Sequence, residues 1–283
     1  MATEGKITIG GAVLSYRIEG EGVPVLVIGS AAFYPRLFSP DIRKRAKLIF
    51  IDHKGFAELA ELLPAEAYTL DAIVEDIETM RAALELDRFV ALGHSGHAFL
   101  AAAYARKYPQ HVSKVALMNA APTNDEERQR GSIAYFEAQA EPERKRKFEE
   151  DFAALPADLE REPERRFAWM CIRMGAHSFR DYGFDAAPLW EGVRTNMPVI
   201  DHLWGEAFAQ RRLTEELGAI HKPVWIGLGR HDYLVAPVSL WDDAERNRPN
   251  VTKMVFEESG HYPMLEEPGA FDEAFLRWVY RPE

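Results

Sequence analysis

Short apolar runs, each stopped by a turn residue, recur along the chain and constrain its fold more than any other feature. Val25-Leu26-Val27-Ile28 stops at Gly29, Leu48-Ile49-Phe50-Ile51 at Asp52, and Phe89-Val90-Ala91-Leu92 at Gly93. Val115-Ala116-Leu117-Met118 stops at Asn119, Val224 to Leu228 at Gly229, and Thr252 to Phe256 at Glu257. Strands that are apolar on both faces belong in a parallel sheet covered by helices on each side. Helical periodicity lies between the runs: Leu70 to Leu84, Ala98 to just before Pro109, and Ala270 to Tyr280. Strand alternating with helix predicts an α/β fold with right-handed crossovers. Ahead of it, Lys6 to Ile9 and Ala12 to Ile18 alternate around Gly10-Gly11, which predicts a β-hairpin.

One stretch breaks the rhythm. From about Thr123 to Arg212 no strand run occurs, while Glu, Arg and aromatic residues accumulate. The expected organisation is a core of residues 1–122 and 213–283 with a helical insertion over 123–212. The aromatics of the insertion can pack on one another, or they can roof a pocket.

Composition removes several function classes. Over 283 residues the formal net charge is −11, which disfavours nucleic acid and anionic membranes as partners. A lone cysteine, Cys171, can form neither an internal disulfide nor a structural zinc cluster. His94 and His97 lack a third ligand at metal-site spacing, so no metal is expected, and no organic cofactor is expected either. The opening residues carry no basic-then-apolar leader, and no apolar stretch is long enough to span a bilayer. A soluble, cytoplasmic protein, monomer or homodimer, is expected.

The chemistry concentrates at strand ends. Gly93-His94-Ser95-Gly96-His97 sits between a strand run and a helix. A sharp strand-to-helix turn pushes the Ser95 hydroxyl above the sheet and aims the Gly96 N–H at a developing oxyanion. A serine hydroxyl is a weak nucleophile and needs a base, itself oriented by a third group. Asp232 follows the Val224–Leu228 run and His261 follows the Thr252–Phe256 run. All three therefore reach the carboxyl edge of the sheet, where open α/β sheets bind ligands. Asp242 and Asp243 are competing acids, but neither directly follows a core strand.

With these motifs in place, the sequence resembles the α/β-hydrolase superfamily of serine hydrolases. Asp52-His53-Lys54-Gly55-Phe56 is similar to the family's acidic-x-Arg-Gly-x-Gly turn, with Lys54 in place of Arg. Gly260-His261-Tyr262-Pro263 is close to the region around the family's catalytic histidine. The resemblance implies the α/β-hydrolase fold, a mostly parallel central sheet flanked by helices with an inserted helical cap. It implies Ser95 as nucleophile, His261 as base and then acid, and Asp232 as the orienting group. A second oxyanion donor is expected on the loop after the third strand, from Ser30 or else Ala31. His97 departs from the pattern, since a small residue is usual two places after the nucleophile. The family's usual His-Gly after the third strand is also missing here, and the absence of a His-Gly-Gly-Pro-Gly type loop counts against a proline iminopeptidase.

The expected activity is hydrolysis of a small, mostly apolar carboxylic ester or lactone through an acyl-enzyme. Amidase, aminopeptidase or C–C hydrolase activity on the same triad, or slow-turnover ligand binding, are the alternatives. Phe33, His97, Trp169 and Trp204 are the expected pocket residues.

Overall fold

The chain was analysed as a computed structural model that describes residues 2–282. The N-terminal hairpin pairs β1 (Thr3–Ile9) with β2 (Ala12–Glu19) across Gly10 and Gly11, both at positive φ. The apolar runs become β3 (Val23–Gly29), β4 (Ala46–Asp52), β6 (Phe89–His94), β7 (Val112–Met118), β8 (Val224–Gly229) and β9 (Val251–Phe256). A short strand that the pattern did not signal, β5 (Glu58–Leu59), pairs with β2. The sheet runs β1-β2-β4-β3-β6-β7-β8-β9, and everything from β4 to β9 along that path is parallel.

Period-two alternation sends successive side chains of each strand to opposite faces. One face buries Leu26, Ile28, Ile49, Ala91, Leu117 and Ile226 under α1 (Leu70–Ala83) and α2 (His97–Lys107). The other buries Val25, Val27, Phe50, Leu92, Met118 and Trp225. The last helix covers that second face with Phe271, Phe275 and Trp278. Helix α1 starts where the Thr69 hydroxyl caps the Ala72 N–H at 3.2 Å.

Between β7 and β8 the chain is helical. It forms α3 (Glu126–Gln139), α4 (Pro142–Ala153), α5 (Leu155–Arg161), α6 (Arg166–Arg173), α7 (Gly175–Ser178) and α8 (Met197–His202). The remaining helices are α9 (Leu213–Glu216), α10 (Asp242–Asn247), α11 (Pro263–Glu266) and α12 (Pro268–Val279). Among the described residues, no helix is long and apolar enough to cross a membrane.

Candidate active site

Ser95 is the first of the two residues between β6 and α2 and sits at φ +56°, a left-handed conformation that a non-glycine residue adopts at a cost. Its N–H donates to the Met118 carbonyl at 2.8 Å, and its carbonyl accepts the Ala98 N–H at 3.0 Å. The turn is tight enough to dictate its glycines. A Cβ on Gly93 would lie 2.3 Å from the His97 carbonyl oxygen, and one on Gly96 would lie 2.7 Å from the Trp204 ring.

Asp232 and His261 leave the ends of β8 and β9 as the strand pattern requires. His261 Nδ1 donates to Asp232 Oδ2 at 2.7 Å, and both residues are buried. Asn119, at the end of β7, donates its amide to the same Asp232 oxygen at 2.9 Å and to the Gly260 carbonyl at 3.0 Å. The Leu234 N–H supplies Asp232 Oδ1 at 3.0 Å. With its lone pairs engaged, the aspartate holds the imidazole as the Nδ1–H tautomer, which leaves Nε2 as the basic face.

The His261 loop has supports of its own. Glu266 Oε1 accepts the N–H groups of Gly260 at 3.1 Å and Tyr262 at 3.0 Å. The Ser178 carbonyl at the end of α7 accepts the His261 N–H, and a Cβ on Gly260 would sit 2.2 Å from that same oxygen. The helical insertion thus clamps the histidine loop directly. Ser95 and His261 border one cavity, but no Ser95–His261 hydrogen bond exists among the described residues.

The two loop donors expected after β3 part company. The Ala31 N–H is committed to Asp52 Oδ1 at 2.7 Å, so Ala31 is corrected from oxyanion donor to anchor of the loop. Asp52 also accepts the Ser15 N–H at 2.9 Å, and burial pushes its carboxyl up to about 6. The Ser30 and Gly96 N–H groups make no hydrogen bond among the described residues and remain open to a ligand oxygen.

His97 is buried beneath the elbow, and its neighbours explain how a large side chain fits there. The Gly55 N–H donates to His53 Nδ1 at 3.0 Å. An amide N–H can only donate, so the His53 proton sits on Nε2, which faces His97 Nε2 at 3.1 Å. His97 must then carry its proton on Nδ1 and donate it to Tyr34 Oη at 2.8 Å. The Tyr34 hydroxyl turns its own proton toward His94, whose Nδ1 lies at 3.3 Å and whose carbonyl lies at 3.4 Å, and His94 Nε2–H ends the chain on the His261 carbonyl at 2.7 Å. That carbonyl can only accept, so both ends of the chain impose the same proton order. All three histidines are neutral in this arrangement. Burial drives His53 down to about 3 and holds His94 and His97 well below their ordinary value.

His97→Ala leaves the His53 Nε2–H buried without an acceptor and is expected to cost about 2 kcal/mol. A lower denaturant midpoint at unchanged m value would show it; an unchanged midpoint would mean the chain carries no stability.

The shared cavity has a volume of about 210 Å3. Phe33, His97 and Trp204 border it, as do Phe167, Cys171 and Trp190, which the sequence reading did not assign to it. Trp169 does not. On α6, Phe167 and Cys171 share one helical face, whereas Trp169 points away. The guanidinium groups of Arg161, Arg165 and Arg173 surround the Trp169 ring at 5.0, 5.4 and 5.6 Å, and its indole N–H donates to Glu162 at 3.0 Å. Trp169 is thus a surface cation–π platform rather than a pocket wall. Burial pushes the Cys171 thiol up to about 12, so it borders the cavity as an unreactive apolar group.

The chain is 56% identical over 266 residues to the AB hydrolase superfamily protein YclE of Bacillus subtilis (strain 168), covering 94% of this chain and 95% of that one. It is 26% identical to a proline iminopeptidase of Heyndrickxia coagulans over 95% of each chain. Its fold is similar to that of an alpha/beta fold family hydrolase from Bacillus anthracis str. Sterne, with a TM-score of 0.72 and 20% identity over 99% of each chain. The family model described as alpha/beta hydrolase fold matches residues 26–268. From β3 through the start of α12 that match contains every strand-end loop described above, and this chain belongs to the alpha/beta hydrolase family.

Proposed function

We propose that the chain is a serine hydrolase cleaving a small, mostly apolar carboxylic ester or lactone, with residues 123–212 as its cap. Family membership supports a hydrolytic enzyme in general. The observation that carries the finer reading is that Ser95, on its strained turn, and the free face of His261 border one aromatic cavity, with the far side of His261 fixed by Asp232 at 2.7 Å.

In this reading Ser95 Oγ attacks the substrate carbonyl while His261 Nε2 takes its proton. The N–H groups of Gly96 and Ser30 stabilise the oxyanion, each worth about 3 kcal/mol. The C–O bond to the alcohol breaks and His261 returns the proton to it. Water, deprotonated by the same nitrogen, then releases the acid and restores Ser95.

The cavity also favours an ester over an aminopeptidase substrate. A free α-ammonium group calls for a carboxylate in the site. Among the described residues, no aspartate or glutamate lines this cavity. The test is a panel of p-nitrophenyl acetate, butyrate and octanoate beside γ- and δ-lactones and aminoacyl p-nitroanilides. A cavity this small is expected to give butyrate at least about tenfold higher kcat/KM than octanoate. Preferential cleavage of the anilides would overturn the ester reading. Acylation without steady-state turnover would point to a ligand-binding protein.

A further inference from the structure

Among the described residues, one Asp, Glu, Lys or Arg side chain lines the aromatic cavity: Arg128, from the first turn of α3. The other titratable groups there are the neutral His94 and His97, the triad's His261, the raised Tyr34 and Tyr262 hydroxyls, and Cys171. The Arg128 hydrogen bonds all go to neutral acceptors. Nε donates to the Thr123 carbonyl at 3.1 Å, Nη1 to Ser132 Oγ at 3.3 Å and the Leu234 carbonyl at 2.8 Å, and Nη2 to Asn124 Oδ1. One Nη2 hydrogen is left without an acceptor by that set.

The neighbouring carboxylates are committed elsewhere. Asp125 caps the Arg128 N–H with Oδ1 at 2.9 Å and pairs with Arg212 through Oδ2 at 2.9 Å. Asp232 serves His261, Asn119 and the Leu234 N–H. A half-buried cation without a contacting anion is costly unless something completes it. Thr123 and Arg128 also border a second groove, lined by α3 and by Ala236, Pro237 and Leu240. The charge therefore stands between the cavity and this groove.

We propose that Arg128 binds an anionic end of the substrate, so that the natural substrate is a monoester carrying a free carboxylate. The inference rests on Ser95 hydrolysing esters and narrows the class of ester. The carboxylate accepts the spare Nη2–H and supplies a counter-charge in direct contact, where Asp125 and Asp232 act only from a distance, while the apolar middle of the molecule lies along Phe33, Phe167 and Trp204. Attack by Ser95 Oγ forms the acyl bond and releases the alcohol with the proton from His261. Hydrolysis then breaks the C–Oγ bond and yields a dicarboxylate. In the free protein Asn124, whose own amide donates to the Trp204 carbonyl at 2.7 Å, holds Nη2 in place.

The test compares 4-nitrophenyl hemiglutarate with its neutral counterpart 4-nitrophenyl valerate. Wild type is expected to favour the hemiglutarate in kcat/KM, and R128Q to lower the hemiglutarate-to-valerate ratio about tenfold or more, with R128K falling between. A purely structural arginine would lower both substrates together and leave the ratio unmoved, which would overturn the proposal. If wild type cleaves neither, the hydrolase reading fails separately. The anion site is then read from binding of monomethyl glutarate to Ser95→Ala, with and without R128Q. Loss of binding in the double variant supports the site, and equal binding overturns it.

Discussion

Ser95→Ala is expected to lower ester turnover by about 10^4-fold or more while leaving the fold intact. The substitution removes only the hydroxyl. Alanine has the same Cβ as serine, so the strain of φ +56° is neither added nor relieved. Ser95→Gly is expected to be equally inactive but more stable than wild type by about 1 kcal/mol, because glycine alone adopts that φ without penalty. The opposite movement of activity and stability separates a strained nucleophile from an ordinary turn serine. His261→Ala should cost about as much as Ser95→Ala, and the double variant little more, since the two act as one device. Residual activity would come from the Gly96 and Ser30 donors. Turnover within tenfold of wild type in Ser95→Ala would remove Ser95 from the chemistry.

What could be read in the sequence was what local chain chemistry determines. Ser95, Asp232 and His261 each close an apolar strand run, and a parallel sheet brings such ends to one edge whatever lies between them. The supports for those residues were not legible, because they depend on pairs far apart in the chain. Asn119 sits 113 residues from Asp232, and nothing near Asn119 announces that its amide is aimed there. Glu266 lies close to His261, yet its role in capping the loop N–H groups appears only once α11 folds back.

The choice between Ser30 and Ala31 turned on where one N–H points, which Asp52, 21 residues away from Ala31, decides. Trp169 was different, for the signal was present. Helical spacing already separates it from Phe167 and Cys171, and flanking arginines mark the exposed side of α6. Aromatic content alone had concealed that division. Lys54, the departure in the turn after β4, forms a buried ion pair with Asp76 Oδ2 at 2.8 Å and donates to the Ala67 carbonyl at 2.8 Å. It therefore ties that turn to the middle of α1 and to the segment just before that helix.

The neutral histidine chain carries a second large expected effect: the protein loses roughly 4 kcal/mol of stability between pH 7.5 and 5.5. His53, His94 and His97 are neutral in the folded state, with values near 3 or well below the ordinary one, and burial also lowers His177, stacked 3.7 Å from the Phe136 ring, to about 4. In the unfolded chain each takes up a proton as pH falls through about 6.5. The unfolded state then binds more protons, so acid favours unfolding, by about 1.4 kcal/mol per histidine per pH unit below that point.

Asp52 works the other way. Its folded value of about 6 lies above the ordinary carboxylate value, so the folded state takes up its proton first and gains stability as pH falls. Over this range it returns about 1 kcal/mol, and the raised values of Asp76 and Glu266 add in the same direction. The histidines outnumber that correction. The midpoint of thermal unfolding should fall by about 8 °C from pH 7.5 to 5.5. The slope against pH should flatten by about one proton in His53→Gln, whose amide cannot titrate. Stability that is flat or rises toward pH 5.5 would mean that the buried chain accommodates charge. The fixed proton order running from Gly55 to the His261 carbonyl would then be wrong.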